Sequence, residues 1–255
     1  MKNGKLVSHV GPMGAGKTKK LVAIHDHLVS EGKEVVVFKH TNDIQRGGQI
    51  DKVVARDGSS VSGVVPLSTL SEILLFDTDQ FHTVLIDEIQ FFDYEDTVPM
   101  LNALAISGIN VHVFGLDVTS DNKAFGVMGS VLAQSDEIEK LKPKCHRCEE
   151  DARVSSFVGG EKDGDVHVGD LDEYKPICRR CFYEESKHKL AEQRKAAQED
   201  KEHAFNFNGV DFSFTFTVTD SELKAAGYTI EEINDIVTEE GMTNLLEDLG
   251  IELYI

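Results

Sequence analysis

Residues 5–18 read Lys5-Leu-Val-Ser-His-Val-Gly-Pro-Met-Gly-Ala-Gly-Lys-Thr18. The second half fits G-x-x-x-x-G-K-[ST], the phosphate-binding P-loop. Its surroundings suit that motif: residues 5–10 read as a short strand and residues 17–31 as a helix. Glycines let backbone N–H groups turn inward around phosphate oxygens, and a helix N-terminus adds partial positive charge at the same spot. Gly11, Pro12, Met13, Gly14, Ala15, Gly16, Lys17 and Thr18 would therefore cradle a nucleoside triphosphate. Lys17 would reach the β- and γ-phosphates, and the Thr18 hydroxyl would sit on Mg2+.

Working outward, strand-like and helix-like segments alternate. Residues 34–39 are a β-branched run (Glu-Val-Val-Val-Phe-Lys), residues 69–76 have helical spacing, and residues 83–87 form a second buried-type strand. Residues 94–107 have apolar positions at helical intervals, and residues 110–115 form another strand. Such alternation predicts an α/β domain of the P-loop NTPase (RecA-like) kind, with a mostly parallel sheet and helices on both faces. Ligands then bind beyond the carboxyl ends of the strands.

One of those ends carries Asp87-Glu-Ile-Gln-Phe-Phe92. An acidic residue ending a strand beside a P-loop suits a Walker-B aspartate. Asp87 would hold Mg2+, directly or through water, and Glu88 could take a proton from an attacking hydroxyl. A solvated acidic pair at a strand end is the plainer alternative.

Four cysteines form two C-x-x-C pairs, Cys145/Cys148 and Cys178/Cys181, separated by 29 residues. Four thiolates at this spacing suit a closed, structural zinc site; a redox dithiol is the alternative for either pair taken singly. His146, inside the first knuckle, reads as a spacer. No apolar run approaches a membrane span, and no signal-peptide core follows Lys2 and Lys5. A cytoplasmic protein is expected.

Of the net charge of −19, residues 205–255 carry −10. That break marks a module boundary and argues against nucleic-acid binding by the tail. Within it, Val210, Phe212, Phe214, Phe216 and Val218 alternate, after an Asn208-Gly209 turn signal. Thr219/Glu222 and Thr229/Glu232 fit capping boxes, and residues 245–249 and 251–255 read as a helical turn and a strand. The predicted organisation is a P-loop nucleotide-binding domain at 1–142, a zinc domain at 143–185, a helical linker at 186–204 and a small acidic α+β module at 205–255.

The P-loop and the Asp87-Glu-x-Gln-Phe-Phe92 motif together resemble the zinc-containing, P-loop thymidine kinases. Leu116-Asp-x-Thr-x-x-x-Lys-x-Phe-Gly126 is similar to that family's nucleoside loop, the cysteine pairs to its zinc site, and residues 166–174 to the lasso that closes over the base. The resemblance covers residues 1–185. It implies transfer of the γ-phosphoryl of ATP to the 5′-hydroxyl of thymidine, with Mg2+ and structural Zn2+. It implies Glu88 as base, Lys17 and Arg56 on the transferring phosphate, and a pocket of Met13, Phe91, Leu116, Phe125, Ser155 and Tyr174. Backbone groups of His167, Val168 and Gly169 would meet the pyrimidine edge. Core packing is the alternative for the aromatics, and an ordinary surface position for Arg56.

The family resemblance further implies a homotetramer inhibited by dTTP. Ser120 and Val118 stand where the family usually has an aromatic residue and a glycine, which leaves deoxyuridine as a second nucleoside. The acidic module is additional, with a protein partner or an oligomer contact as its roles. The competing reading is a P-loop ATPase gripping nucleic acid through its zinc ribbon; the acidic charge and the lack of a basic stripe weigh against it.

Overall fold

The computed structural model describes residues 3–42, 50–159, 172–199, 202–208, 213–229 and 232–233. The chain separates into two compact units, Met1–Glu184 and Glu185–Ile255.

The first unit is built on a six-stranded sheet. Its strands are β1 (Leu6–Val10), β2 (Val35–His40), β5 (Val65–Leu67), β6 (Thr83–Asp87), β7 (Asn110–Gly115) and β8 (Glu137–Lys140). They lie in the order β5-β2-β6-β7-β1-β8, and each paired neighbour runs parallel. Parallel sheets need cover on both faces, and strand alternation supplies it. Phe38, Val84, Ile86, Val111 and Val113 join one apolar cluster, while Val37, Leu85 and Phe114 join another.

The first cluster is covered by α2 (Tyr94–Ile106) and α3 (Met128–Gln134), through Leu101, Leu104, Met128 and Val131. A 3-10 segment at Leu70–Leu75 adds Leu70 and Ile73. The second cluster is covered by α1 (Lys17–Ser30), through Leu21 and Val22. A small antiparallel hairpin, β3 (Lys52–Val54) with β4 (Ser60–Ser62), adds Val53 and Val61.

Parallel register brings the carboxyl ends of β1, β2, β6 and β7 to one edge. Lys39 stands opposite Asp87 there, and Val10 opposite Gly115. The expected strands at 83–87 and 110–115 match β6 and β7 residue for residue. Helical spacing at 69–76 folds as 3-10 instead of α, with Thr69 and Glu72 forming a capping box at its start. Strands β5 and β8, the β3–β4 hairpin and α3 are elements that the periodicity did not predict.

After β8 the chain makes an antiparallel ribbon of β9 (Val154–Phe157) and β10 (Tyr174–Ile177), with Tyr174 opposite Phe157. The helix α4 (Arg179–Glu199) follows, and the division between the units falls within it.

The second unit contains a hairpin of β11 (Glu202–Asn208) and β12 (Ser213–Thr219). Its register sets Phe205 opposite Phe216 and Phe207 opposite Phe214. The helix α5 (Asp220–Ala226) follows, and Gly227 stops it in a left-handed conformation (φ 81°). The Thr219 N–H donates to Glu222 at 2.8 Å, and the Thr229 N–H to Glu232 at 2.8 Å, as both capping boxes require. Val210, Phe212, the turn after Asn208, and the elements expected at 245–249 and 251–255 lie outside the described residues. No helix among the described residues is long and apolar enough to cross a membrane.

Candidate active site

The chain leaves β1 through the loop at residues 11–16 and enters α1 at Lys17. The loop's shape requires glycine at two points. A side chain on Gly11 would collide with the Leu141 carbonyl. Gly16, the N-cap of α1, has φ 84°, a left-handed value in which a Cβ is costly. The Lys17 ammonium curls back and donates to the carbonyls of Gly11 (2.9 Å) and Pro12 (3.1 Å). Burial holds it below the ordinary lysine value; Glu88, Asp87 and Asp117 act the other way, and Arg56 adds to the lowering. Such mutual influence is short-ranged, so these four charged residues gather around the P-loop lysine. Thr18 lies half-buried in the first turn of α1.

Asp87 ends β6 as a buried carboxylate that accepts the Glu88 N–H at 3.0 Å. Glu88 then takes φ 54° and ψ 38°. A left-handed glutamate costs on the order of 1–3 kcal/mol and persists only where its surroundings impose it. Here Gln90 supplies the constraint: it is buried, and its Nε2 donates to the Glu88 carboxylate while its Oε1 accepts the Leu116 N–H at 3.1 Å. Phe91 meets Phe125 edge-on, with ring centroids 5.5 Å apart. Both line a cleft of about 560 Å³ with Tyr94, Thr119, Asp121 and Lys123.

Arg56 sits in the exposed turn between β3 and β4. That turn is held to α1 by Lys19, which pairs with Asp57 at 3.0 Å. Hydrogen bonding from Ser59, then from Lys19, lowers the Asp57 carboxyl to about 2. On the other side of the site, the Met13 N–H donates to Ser155 Oγ of β9 at 2.8 Å, so the P-loop touches the ribbon. Tyr174 packs edge-on against Phe157, at 5.2 Å. Of the residues expected to line a base pocket, Met13 neighbours Ser155, Phe91 neighbours Phe125, and the Leu116 N–H is held by Gln90. His167, Val168 and Gly169 lie outside the described residues.

Three residues near the site escaped the sequence reading. Gln90 and Asp117 were visible only as parts of motifs, with no role assigned. Lys39 is fully buried beside Asp87 and donates to the Lys52 carbonyl at 2.9 Å; a lysine ending an apolar strand gives no warning of that. Asp117 is buried just beyond β7 and pairs with Arg153 at 2.8 Å and Lys140 at 3.2 Å. It ties the sheet edge to the start of the ribbon.

The cysteines converge. The Sγ atoms of Cys145, Cys148, Cys178 and Cys181 lie within 4.8 Å of one another. Zinc–thiolate bonds of about 2.3 Å in a tetrahedron put sulfurs about 3.8 Å apart, and Cys148 and Cys178 stand 3.5 Å apart as free thiols. Hydrogen bonding with Cys148, then burial, pushes the Cys181 thiol up to about 12, whereas backbone hydrogen bonds bring Cys145 down to about 7 against the effect of burial. The donor set fits zinc, with no position left open for catalysis.

A sequence model of thymidine kinase matches residues 4–182. The chain belongs to the thymidine kinase family. A thymidine kinase of Bacteroides fragilis is 32% identical over 201 residues, covering 79% of this chain and 92% of the relative. One from Porphyromonas gingivalis is 33% identical over 184 residues, covering 71% and 86%. One from Mycoplasma mobile is 30% identical over 180 residues, covering 71% and 88%. Membership makes the protein a nucleoside kinase by class.

Proposed function

We propose that the protein transfers the γ-phosphoryl group of ATP to the 5′-hydroxyl of thymidine, giving dTMP and ADP. The observation that supports the reading is that Lys17 follows β1 and Asp87–Glu88 end β6 at one edge of the parallel sheet, with Arg56 in electrostatic reach of Lys17 and the Phe91–Phe125 pair in the segments that follow β6 and β7.

Phosphoryl transfer is mostly positioning and charge neutralisation. Lys17 exchanges its contacts with the Gly11 and Pro12 carbonyls for phosphate oxygens, and the N–H groups of residues 11–18 hold the same phosphates. Thr18 and Asp87 are the residues that would hold Mg2+, which neutralises phosphate charge when bound. Glu88 accepts the proton of the 5′-hydroxyl as its oxygen attacks phosphorus and the bond to ADP breaks. Arg56 offsets charge on the moving phosphoryl group. The side chains of Met13, Phe91, Leu116, Phe125, Ser155 and Tyr174, with the backbone of residues 167–169, form a slot that admits a pyrimidine. Cys145, Cys148, Cys178 and Cys181 would hold Zn2+, which would cross-link the two cysteine pairs when bound. Homotetramer assembly and a cytoplasmic setting belong to the same reading; residues 205–255 are an added module for a protein partner or a subunit contact.

The test is phosphoryl transfer from Mg·ATP to a panel of thymidine, deoxyuridine, deoxycytidine, deoxyguanosine and uridine. The expected product is dTMP, with deoxyuridine the next best acceptor because Ser120 offers no ring to the base. Release of phosphate without nucleotide product, stimulated by oligonucleotides, would favour the nucleic-acid reading instead.

A further inference from the structure

We infer that Gln90 is a positioning residue for the Glu88 carboxylate, and that it joins the base to the nucleoside loop. The inference rests on the proposed phosphoryl transfer and deepens it.

Glu88 follows Asp87 in a left-handed backbone conformation, which by itself does not fix where its carboxylate points. Gln90 fixes it by donating Nε2–H to that carboxylate. The orientation of the amide is set from both ends: reversal would set its oxygen against the carboxylate and its NH2 against the Leu116 N–H. With Oε1 on the Leu116 N–H at 3.1 Å, one buried side chain spans from the turn after β6 to the loop after β7.

Two glycines shape the space around Gln90. A side chain on Gly115 would meet Gln90 Oε1, and one on Gly126 would meet the Gln90 carbonyl. The Gly115–Leu116 and Gly126 segments therefore close directly on Gln90, so nucleoside contacts at Leu116 and Phe125 would share its position with the base. A group that orients the base in this way acts on the bond-making step more than on ATP binding.

Two variants separate the two hydrogen bonds. Gln90→Met keeps the length and removes both. Gln90→Glu keeps the acceptor for Leu116 and turns a like charge toward Glu88. We expect Gln90→Glu to lower kcat about 10- to 100-fold with the thymidine KM changed less than about 3-fold. Gln90→Met should lose kcat similarly and also raise the thymidine KM. In a Glu88→Gln background, Gln90→Met should change the remaining rate less than about 2-fold, since its target is gone.

A merely structural Gln90 would multiply its loss onto Glu88→Gln unchanged, and that result overturns the inference. So does either folded variant, judged by melting temperature and zinc content, with wild-type kcat. Should Gln90→Met fail to fold, Gln90→Glu against Glu88→Gln decides alone. Wild-type protein that forms no dTMP removes the proposed function itself, whereas an inactive Glu88→Gln beside fully active Gln90 variants removes only the positioning role.

Discussion

At the scale of single residues, the site depends on conformations that side chains resist. Glu88 occupies a left-handed backbone position (φ 54°), and Gly126 occupies another (φ 49°) directly against the Gln90 backbone. For Gly126→Ala, the new methyl group meets a carbonyl that cannot swing aside, and the backbone conformation itself is disfavoured. The substitution is expected to cost about 1–3 kcal/mol of stability by urea denaturation. Its effect on dTMP formation should exceed its effect on ATP binding, because the displaced residue is the one that holds Glu88. An alanine enzyme with wild-type stability and rate would mean that the loop after β7 does not press on Gln90.

At the scale of elements, the sheet edge and the zinc ribbon are joined by Asp117, which draws Lys140 of β8 and Arg153 before β9 to one buried carboxylate. Asp117→Asn removes the charge and leaves two cations facing a neutral amide. A loss of about 1–3 kcal/mol is expected, since both cations keep partial access to water. Chemical denaturation with zinc content as a control measures it, and an unchanged midpoint contradicts it. How far elements were legible follows from the same physics. Strands β6 and β7 are apolar runs with clear ends, and their limits were readable to the residue. Strand β8 (Glu-Ile-Glu-Lys) is not: it is an edge strand with one apolar side chain, recruited by backbone pairing to β1. Strand β5 contains Pro66 and spans three residues, too short for any period. The site was legible where chemistry has a spacing, as in the P-loop, Asp87–Glu88 and the cysteine pairs. It was illegible where a polar residue works by being buried, as Gln90, Lys39 and Asp117 do, because burial is decided by strands distant in sequence.

At the scale of the whole molecule, the sheet carries a polar line across three strands, buried at His9 and open to water at Glu139. His9 bonds Glu139 at 2.8 Å and His112 at 2.9 Å, crossing β8, β1 and β7, with Lys20 of α1 on Glu139 at 3.1 Å. Burial lowers both histidines, and the charge of His9 helps bring His112 to about 4. The unfolded chain takes up a proton on His112 near pH 6.5, the folded chain only near 4. This part of the stability is therefore complete above about pH 6.5 and is lost as pH falls toward 4; for His112 it amounts to about 3 kcal/mol. Urea midpoints across this range should fall with acid, and His112→Gln should flatten the slope; an equal slope in the variant would assign the acid sensitivity elsewhere. The molecule as a whole is a nucleoside kinase by family, and in the proposed reaction Glu88 serves as the base for the thymidine hydroxyl. The most direct test is the rate of labelled dTMP formation from γ-labelled Mg·ATP by wild type and Glu88→Gln, both saturated with substrates. The wild type should give dTMP and ADP in equal amounts, and the variant a rate about 100- to 10,000-fold lower with ATP binding retained. A Glu88→Gln enzyme that forms dTMP at the wild-type rate would contradict it.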